Sequence, residues 1–238
     1  MTLFFISIAA FFSTLVGGFF ALHLKDRLHL ILGFSAGAII AVAFFDLLPE
    51  ALELAGEHHE PSTILTLTVI GFAAYLMFDR FVLLHGHTEV SEHNHRDVAG
   101  AASLSLHSFL DGIGIGLAFH VSTAVGVVVA AAVLSHDFSD GINTVNMILK
   151  NKGERMKAMK WLFVDASAPV LGIISTLFFT VSDEKLGLLL ALFAGFFLYI
   201  GASDLIPESY HNHPMRWTTV STIIGIVFLY IAISLAGV

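Results

Sequence analysis

The chain has 238 residues, of which 56% are hydrophobic and 13% charged, with a mean hydropathy of +0.85. Those proportions exclude a soluble globular domain and place nearly the whole molecule in lipid. The formal net charge of −8 says little in sum because the acids are scattered among apolar runs, no nucleic-acid partner is expected, and the absence of cysteine removes disulfides and thiolate metal ligands together.

A bilayer crossing takes about 20 mostly apolar residues. Eight such runs are read, at 2–23, 28–55, 63–84, 98–119, 122–149, 159–181, 186–209 and 217–237. No lysine or arginine precedes the first run, whereas Lys25 and Arg27 follow it, so it reads as an outside-first helix and not a cleaved leader. With eight crossings the connections alternate sides. Lys25, Arg27, Arg80, Arg96, Lys150, Lys152, Arg155, Lys157, Lys160 and Arg216 fall on one side, and Lys185 alone on the other. That bias makes the basic side cytoplasmic and puts both termini outside. The expected architecture is one all-α integral membrane domain over residues 1–238.

Span two carries "GFSAGAIIAVAFFDLLPEAL", Gly33 to Leu52, and leads into the basic-free outer loop "ELAGEHHEP", where His58 and His59 sit among acids suited to concentrating cations. After span three comes a cytoplasmic loop, about 85–97, containing "HGHTEVSEHNH". Its His85, His87, His93 and His95 could capture or sense a metal.

Span four contains "HSFLDGIGIG", His107 to Gly116, and span five echoes it with "HDFSDG", His136 to Gly141. Residues i and i+4 share a helix face, so His107 pairs with Asp111 and His136 with Asp140, giving four ligands if the two faces oppose. Neutral imidazoles with ionised carboxylates sum to −2, which one divalent cation neutralises. Metal binding is then expected to compete with acid. Asp137, beside the site, and Asp165, on span six, add enough charge for a second ion. Ser103, Asn143, Thr144 and Met147 extend a polar stripe inward from the site.

Span seven carries "ALFAGFFLYIGASDLIPESY", Ala191 to Tyr210, which aligns without gaps on span two at an offset of 158 residues. The two spans run in opposite directions, so this is an inverted repeat. Spans one to three map onto six to eight around spans four and five, an arrangement many secondary transporters use to present one midplane site to either side. Pro49 and Pro207 interrupt the two helices and free the carbonyls of Phe45 and Ser203. Asp46, Glu50, Asp204 and Glu208 surround these prolines, where isolated carboxylates require water or cations. His211 and His213 follow the second Pro-Glu as candidate exit residues.

These motifs resemble the ZIP family of zinc and iron permeases: "HSFLDGIGIG", "HDFSDG", "FFDLLPEA" and "AGFFLYIGASDLIPES", with a His-rich loop after span three. The resemblance implies eight helices in a 3+2+3 arrangement, a metal site between spans four and five, a homodimer, and movement of divalent transition metals into the cytoplasm across a plasma (inner) membrane. By that resemblance His107, Asp111, His136 and Asp140 are metal ligands and Asp137 is the acid that follows the span-five histidine. Ser108 stands where many members have asparagine, and Ala168-Pro169 replaces a carboxylate before proline, with Asp165 a turn earlier. Zinc is the expected substrate, with iron, manganese, cobalt and cadmium also accepted by such ligands. No organic cofactor is expected. The alternative is an intramembrane zinc-dependent hydrolase acting on a lipid, with Asp137 as base; the lack of His-Glu-x-x-His speaks against it.

Overall fold

A computed structural model of the chain describes residues 1–20, 28–85, 93–150, 154–178, 181–210 and 216–236. The helices are α1 (Thr2–Phe20), α2 (Leu28–Val42), α3 (Leu48–Ala55), α4 (Pro61–His85), α5 (His93–Val121), α6 (Thr123–Lys150), α7 (Arg155–Thr176), α8 (Asp183–Tyr199), α9 (Ile206–Tyr210) and α10 (Arg216–Ala236), with no strand among the described residues. Helix is what lipid demands, because it satisfies every backbone polar group within one segment. Eight runs are long and apolar enough to cross a membrane, α2 with α3 and α8 with α9 each forming one of them. Their order matches the eight expected spans. Span four starts earlier than expected, at His93, and span six ends earlier, at Thr176.

Spans two and seven are not broken at their prolines. The chain widens instead into a π-helical turn at Ala43–Leu47 and another at Ile200–Leu205, each closed by an i→i+5 hydrogen bond, from Leu48 N–H to Ala43 O and from Ile206 N–H to Gly201 O. A proline cannot donate and crowds the carbonyl four residues back. The looser turn just before Pro49 and Pro207 absorbs that conflict while the helix continues. Such turns occur often at functional sites.

Among the described residues, four helix crossings carry a glycine on both partners. A Cβ at Gly17 would strike the Phe138 carbonyl and one at Gly141 the Thr14 carbonyl, joining α1 to α6. Gly112 faces the Pro169 carbonyl and Gly172 the Phe109 carbonyl, joining α5 to α7. Likewise Gly37 faces Thr222 and Gly225 faces Phe34 between α2 and α10, and Gly71 faces Leu192 and Gly195 faces Thr68 between α4 and α8. Helix association in lipid depends on such backbone approach, because there is no hydrophobic drive between helices. With the further packing of α5 on α6, of α1 and α6 on α7, and of α2 and α3 on α8, the spans fall into a first set, α1, α5, α6 and α7, and a second, α2, α4, α8 and α10.

Burial follows a membrane pattern. Phe4, Phe12, Val69, Met77, Phe163, Trp217 and Phe228 face outward, whereas His107, Ser108, Asp111, His136, Asp137, Asp140, Thr144 and Asp165 are buried. Ionisable groups inside a bundle mark a pathway or site. At the end of the bundle between α3 and α4, His59 Nε2 lies 3.0 Å from Glu184 Oε1, pinning this loop to the start of α8. His59 therefore serves an interhelical contact, the blander of the roles open to it, while His58 is exposed.

Candidate metal centre

The i,i+4 spacing on α5 and α6 does what elementary helix geometry requires. His107 Nε2 lies 3.1 Å from Asp111 Oδ2 along α5, and His136 Nε2 lies 3.6 Å from Asp140 Oδ2 along α6. The two faces oppose each other: His136 Nε2 is 3.0 Å from Asp111 Oδ2, and His107 Nε2 is 3.8 Å from Asp140 Oδ2. One ligand atom from each of the four residues falls within a 4.8 Å cluster. All four side chains are buried, His136 completely. Two imidazole nitrogens and two carboxylates converging on one point match the donor preferences and four-coordinate geometry of zinc.

The far side of each imidazole is also held. His136 Nδ1 is 3.2 Å from the Ala132 carbonyl, an obligate acceptor, so Nδ1 carries the proton and Nε2 presents a lone pair when the ring is neutral. His107 Nδ1 is 2.6 Å from the hydroxyl of Tyr75 on α4. Partners on the second nitrogen fix ring orientation and tautomer at metal sites. A second interhelical bond runs from Ser35 Oγ on α2 to the Ser135 carbonyl at 2.6 Å, next to His136. These two bonds join the two sets of helices, one beside each histidine.

Asp165 is buried but lies outside the group of four. Its Oδ1 accepts from Ser108 Oγ at 2.8 Å and its Oδ2 from Thr144 Oγ1 at 2.7 Å, so one carboxylate of α7 stitches α5 to α6. Ser108 also reaches the Leu104 carbonyl at 3.1 Å. Asp165→Ala is expected to lower thermal stability by about 1–3 kcal/mol, because the Thr144 hydroxyl is left buried without an acceptor. Asp165→Asn, which keeps an acceptor, should lose less, and melting of the two purified variants checks the order.

Asp137 is fully buried, with neither carboxylate oxygen hydrogen-bonded among the described residues. It interacts electrostatically with His136, Asp111 and Asp165 but is not one of the group of four. Asp46, in the first π turn, is equally unpartnered and 2% exposed, whereas Asp204, in the second, is exposed. Asp204 is nonetheless close enough to His107, His136 and Asp79 for electrostatic interaction. Glu50 is partly buried on α3, Asn143 lies partly buried on α6 beyond Asp140, and Glu208 falls on α9. His93 and His95 begin α5, and His85 ends α4. The side chains of His85, His93, His95, Met147 and Glu208 lie outside the described residues, as do His87, His211 and His213 altogether.

Sequence reasoning missed Tyr75 and Ser35. A buried tyrosine in an apolar span needs a partner for its hydroxyl, which was the available signal, but the partner sits 32 residues away on another helix.

A model of the family described as "ZIP Zinc transporter" matches residues 84–235, a stretch that takes in the whole four-residue cluster. The chain belongs to the ZIP family. It is 28% identical over 137 residues to the zinc transporter ZIP6 of Homo sapiens, covering 54% of this chain and 18% of that protein. To the metal cation symporter ZIP14 of Xenopus tropicalis it is 35% identical over 104 residues, 43% of this chain and 22% of that one. Against the protein zntB of Dictyostelium discoideum the figures are 33% over 100 residues, 40% and 26%. The match thus spans between 18% and 26% of these relatives' own lengths. ZIP relatives are transporters and not enzymes, which removes the grounds for a lipid hydrolase.

Proposed function

We propose that this ZIP chain carries divalent transition metal ions, zinc foremost, into the cytoplasm, with His107, Asp111, His136 and Asp140 holding the ion in transit. The observation that carries this reading is the buried, converging group of two imidazoles and two carboxylates between two spans. Its charge of −2 suits one dehydrated divalent ion. The charge bias of the connections supports both termini outside and the His-rich stretch cytoplasmic, and the inward direction is carried from the family resemblance. A plasma-membrane location and a homodimer are carried from the family resemblance.

The inverted repeat is part of the same reading. Pro49 and Pro207 are 158 residues apart, and the π turn Ala43–Leu47 shifted by that offset falls within Ile200–Leu205. The crossing of α1 with α6 pairs with that of α7 with α5, and that of α2 with α10 pairs with that of α8 with α4. Both correspondences support a pseudo-two-fold axis through α5 and α6. Movement of one set of helices against the other would expose the same site alternately to the two sides. Asp137 and Asp165 serve this site as neighbouring charge and as helix tie.

Metal and protons compete for the same atoms. Imidazole nitrogens and carboxylate oxygens bind a proton at the same lone pairs that would hold the ion, so protons and metal displace each other. Apparent zinc affinity is therefore expected to fall as pH is lowered from 7.5 to 5.5, checked by competition with a chelator. A pH-independent affinity would contradict shared ligand atoms. The function itself is tested by uptake into proteoliposomes with zinc, manganese and iron supplied separately: zinc influx is the expected result, and binding with no influx of any of them would refute the proposal.

A further inference from the structure

Tyr75 is buried on α4, in the second set of helices, and its hydroxyl contacts the far nitrogen of a ligand histidine in the first set. Its ring is held independently of that contact. Phe78, Phe196 and Tyr199 surround it at centroid distances of 6.0, 5.7 and 5.3 Å. Tyr199 is itself fixed by donating to Asp79 Oδ2 at 2.8 Å. The phenol is thus an anchored group and His107 the one it orients.

The two ligand imidazoles differ in what anchors them. His136 is held by a carbonyl of its own helix, whatever the rest of the protein does. His107 is held by a hydroxyl from a different helix in the other set. A neutral imidazole that ligates through Nε2 must carry its proton on Nδ1, and at His107 that N–H donates to the Tyr75 oxygen. The hydroxyl can also reverse roles and donate to Nδ1, leaving the proton on Nε2. A carbonyl cannot make that exchange, whereas a hydroxyl is both donor and acceptor.

Resting on the reading of the four-residue cluster as the transport site, we propose that Tyr75 is a positioning residue that sets the ring of His107 for zinc and makes the site's affinity depend on how the two sets of helices are arranged. A hydrogen bond of 2.6 Å is lost when its partners part by roughly 1 Å. Sliding of α4 past α5 would therefore release the ring and weaken the grip on the ion. Affinity and conformation are coupled through one contact.

The test is zinc affinity of the purified full chain, by competition with a chromophoric chelator, for the intact protein, Tyr75→Phe, His107→Ala and the double variant. Tyr75→Phe keeps the ring and its packing and should bind zinc about tenfold more weakly. In the His107→Ala background it should have no further effect, since there is no ring left to orient. Unchanged affinity in Tyr75→Phe, or an equal loss with and without His107, overturns the proposal. A normal zinc affinity in His107→Ala alone sinks the transport-site reading and takes the proposal with it. Nitrogen-15 NMR of the zinc-loaded intact protein gives a readout without any variant: Nδ1 of His107 protonated and Nε2 bound to metal is expected, and ligation through Nδ1 refutes the role given to Tyr75.

Discussion

Replacing Asp111 and Asp140 together by alanine is expected to reduce zinc uptake to the level of protein-free liposomes. These two carboxylates supply the entire negative charge of the cluster, and a divalent ion facing two neutral imidazoles in a buried site lacks the compensation that dehydration demands. Loss of partners that merely orient ligands costs 10–100-fold in metal affinity; loss of two ligands should cost more than about 100-fold. The same double variant should fold. Removing both carboxylates also removes their mutual repulsion in the buried site, which offsets the loss of their contacts with the histidines, and a monodisperse size-exclusion profile is expected. If the four residues were instead a hydrogen-bonded glue between α5 and α6, the result would be reversed: zinc flux retained and stability lost.

The second large effect is expected at the crossing of α5 and α7. A Cβ at Gly112 would overlap the Pro169 carbonyl, and Gly172 packs reciprocally on the Phe109 carbonyl. Backbone cannot step aside as a side chain can, so Gly112→Leu must force the two helices apart and carry Ser108, Asp111 and Asp165 out of register. Overpacking of this kind costs about 3 kcal/mol or more, enough to remove most folded protein. Gly114→Ala, on the same helix, meets side chains and no backbone, the Phe193 ring at 3.2 Å and the Phe197 ring at 3.7 Å, and should be tolerated. Size-exclusion profiles and melting of the two variants in detergent separate the outcomes. A normal profile for Gly112→Leu would contradict the crossing.

Much of this was legible in the sequence for direct physical reasons. Each crossing of the bilayer must be an apolar run of fixed minimum length, so the eight spans could be counted. Ligands spaced i,i+4 share a face whatever surrounds them, so His107 with Asp111 and His136 with Asp140 could be paired before any packing was known. What the sequence concealed depends on azimuth and on distant partners. Pro49 and Pro207 announced a disturbed hydrogen-bond ladder, but not that a π turn rather than a break would accommodate it. Asp165 read as charge available to an ion. Its two hydroxyl partners come from α5 and α6, and only the mutual rotation of three helices brings them together. Tyr75 lay in a run that hydropathy alone explained.

The central claim, that two histidines and two aspartates hold the ion in transit, is tested most directly by zinc-edge X-ray absorption on the zinc-loaded protein. Two imidazoles, seen by their outer-shell scattering, and two carboxylate oxygens at about 2.0–2.2 Å are predicted, with this signature absent from Asp111→Ala, Asp140→Ala. A sulfur ligand, a single imidazole, or the same spectrum in the double variant would contradict it.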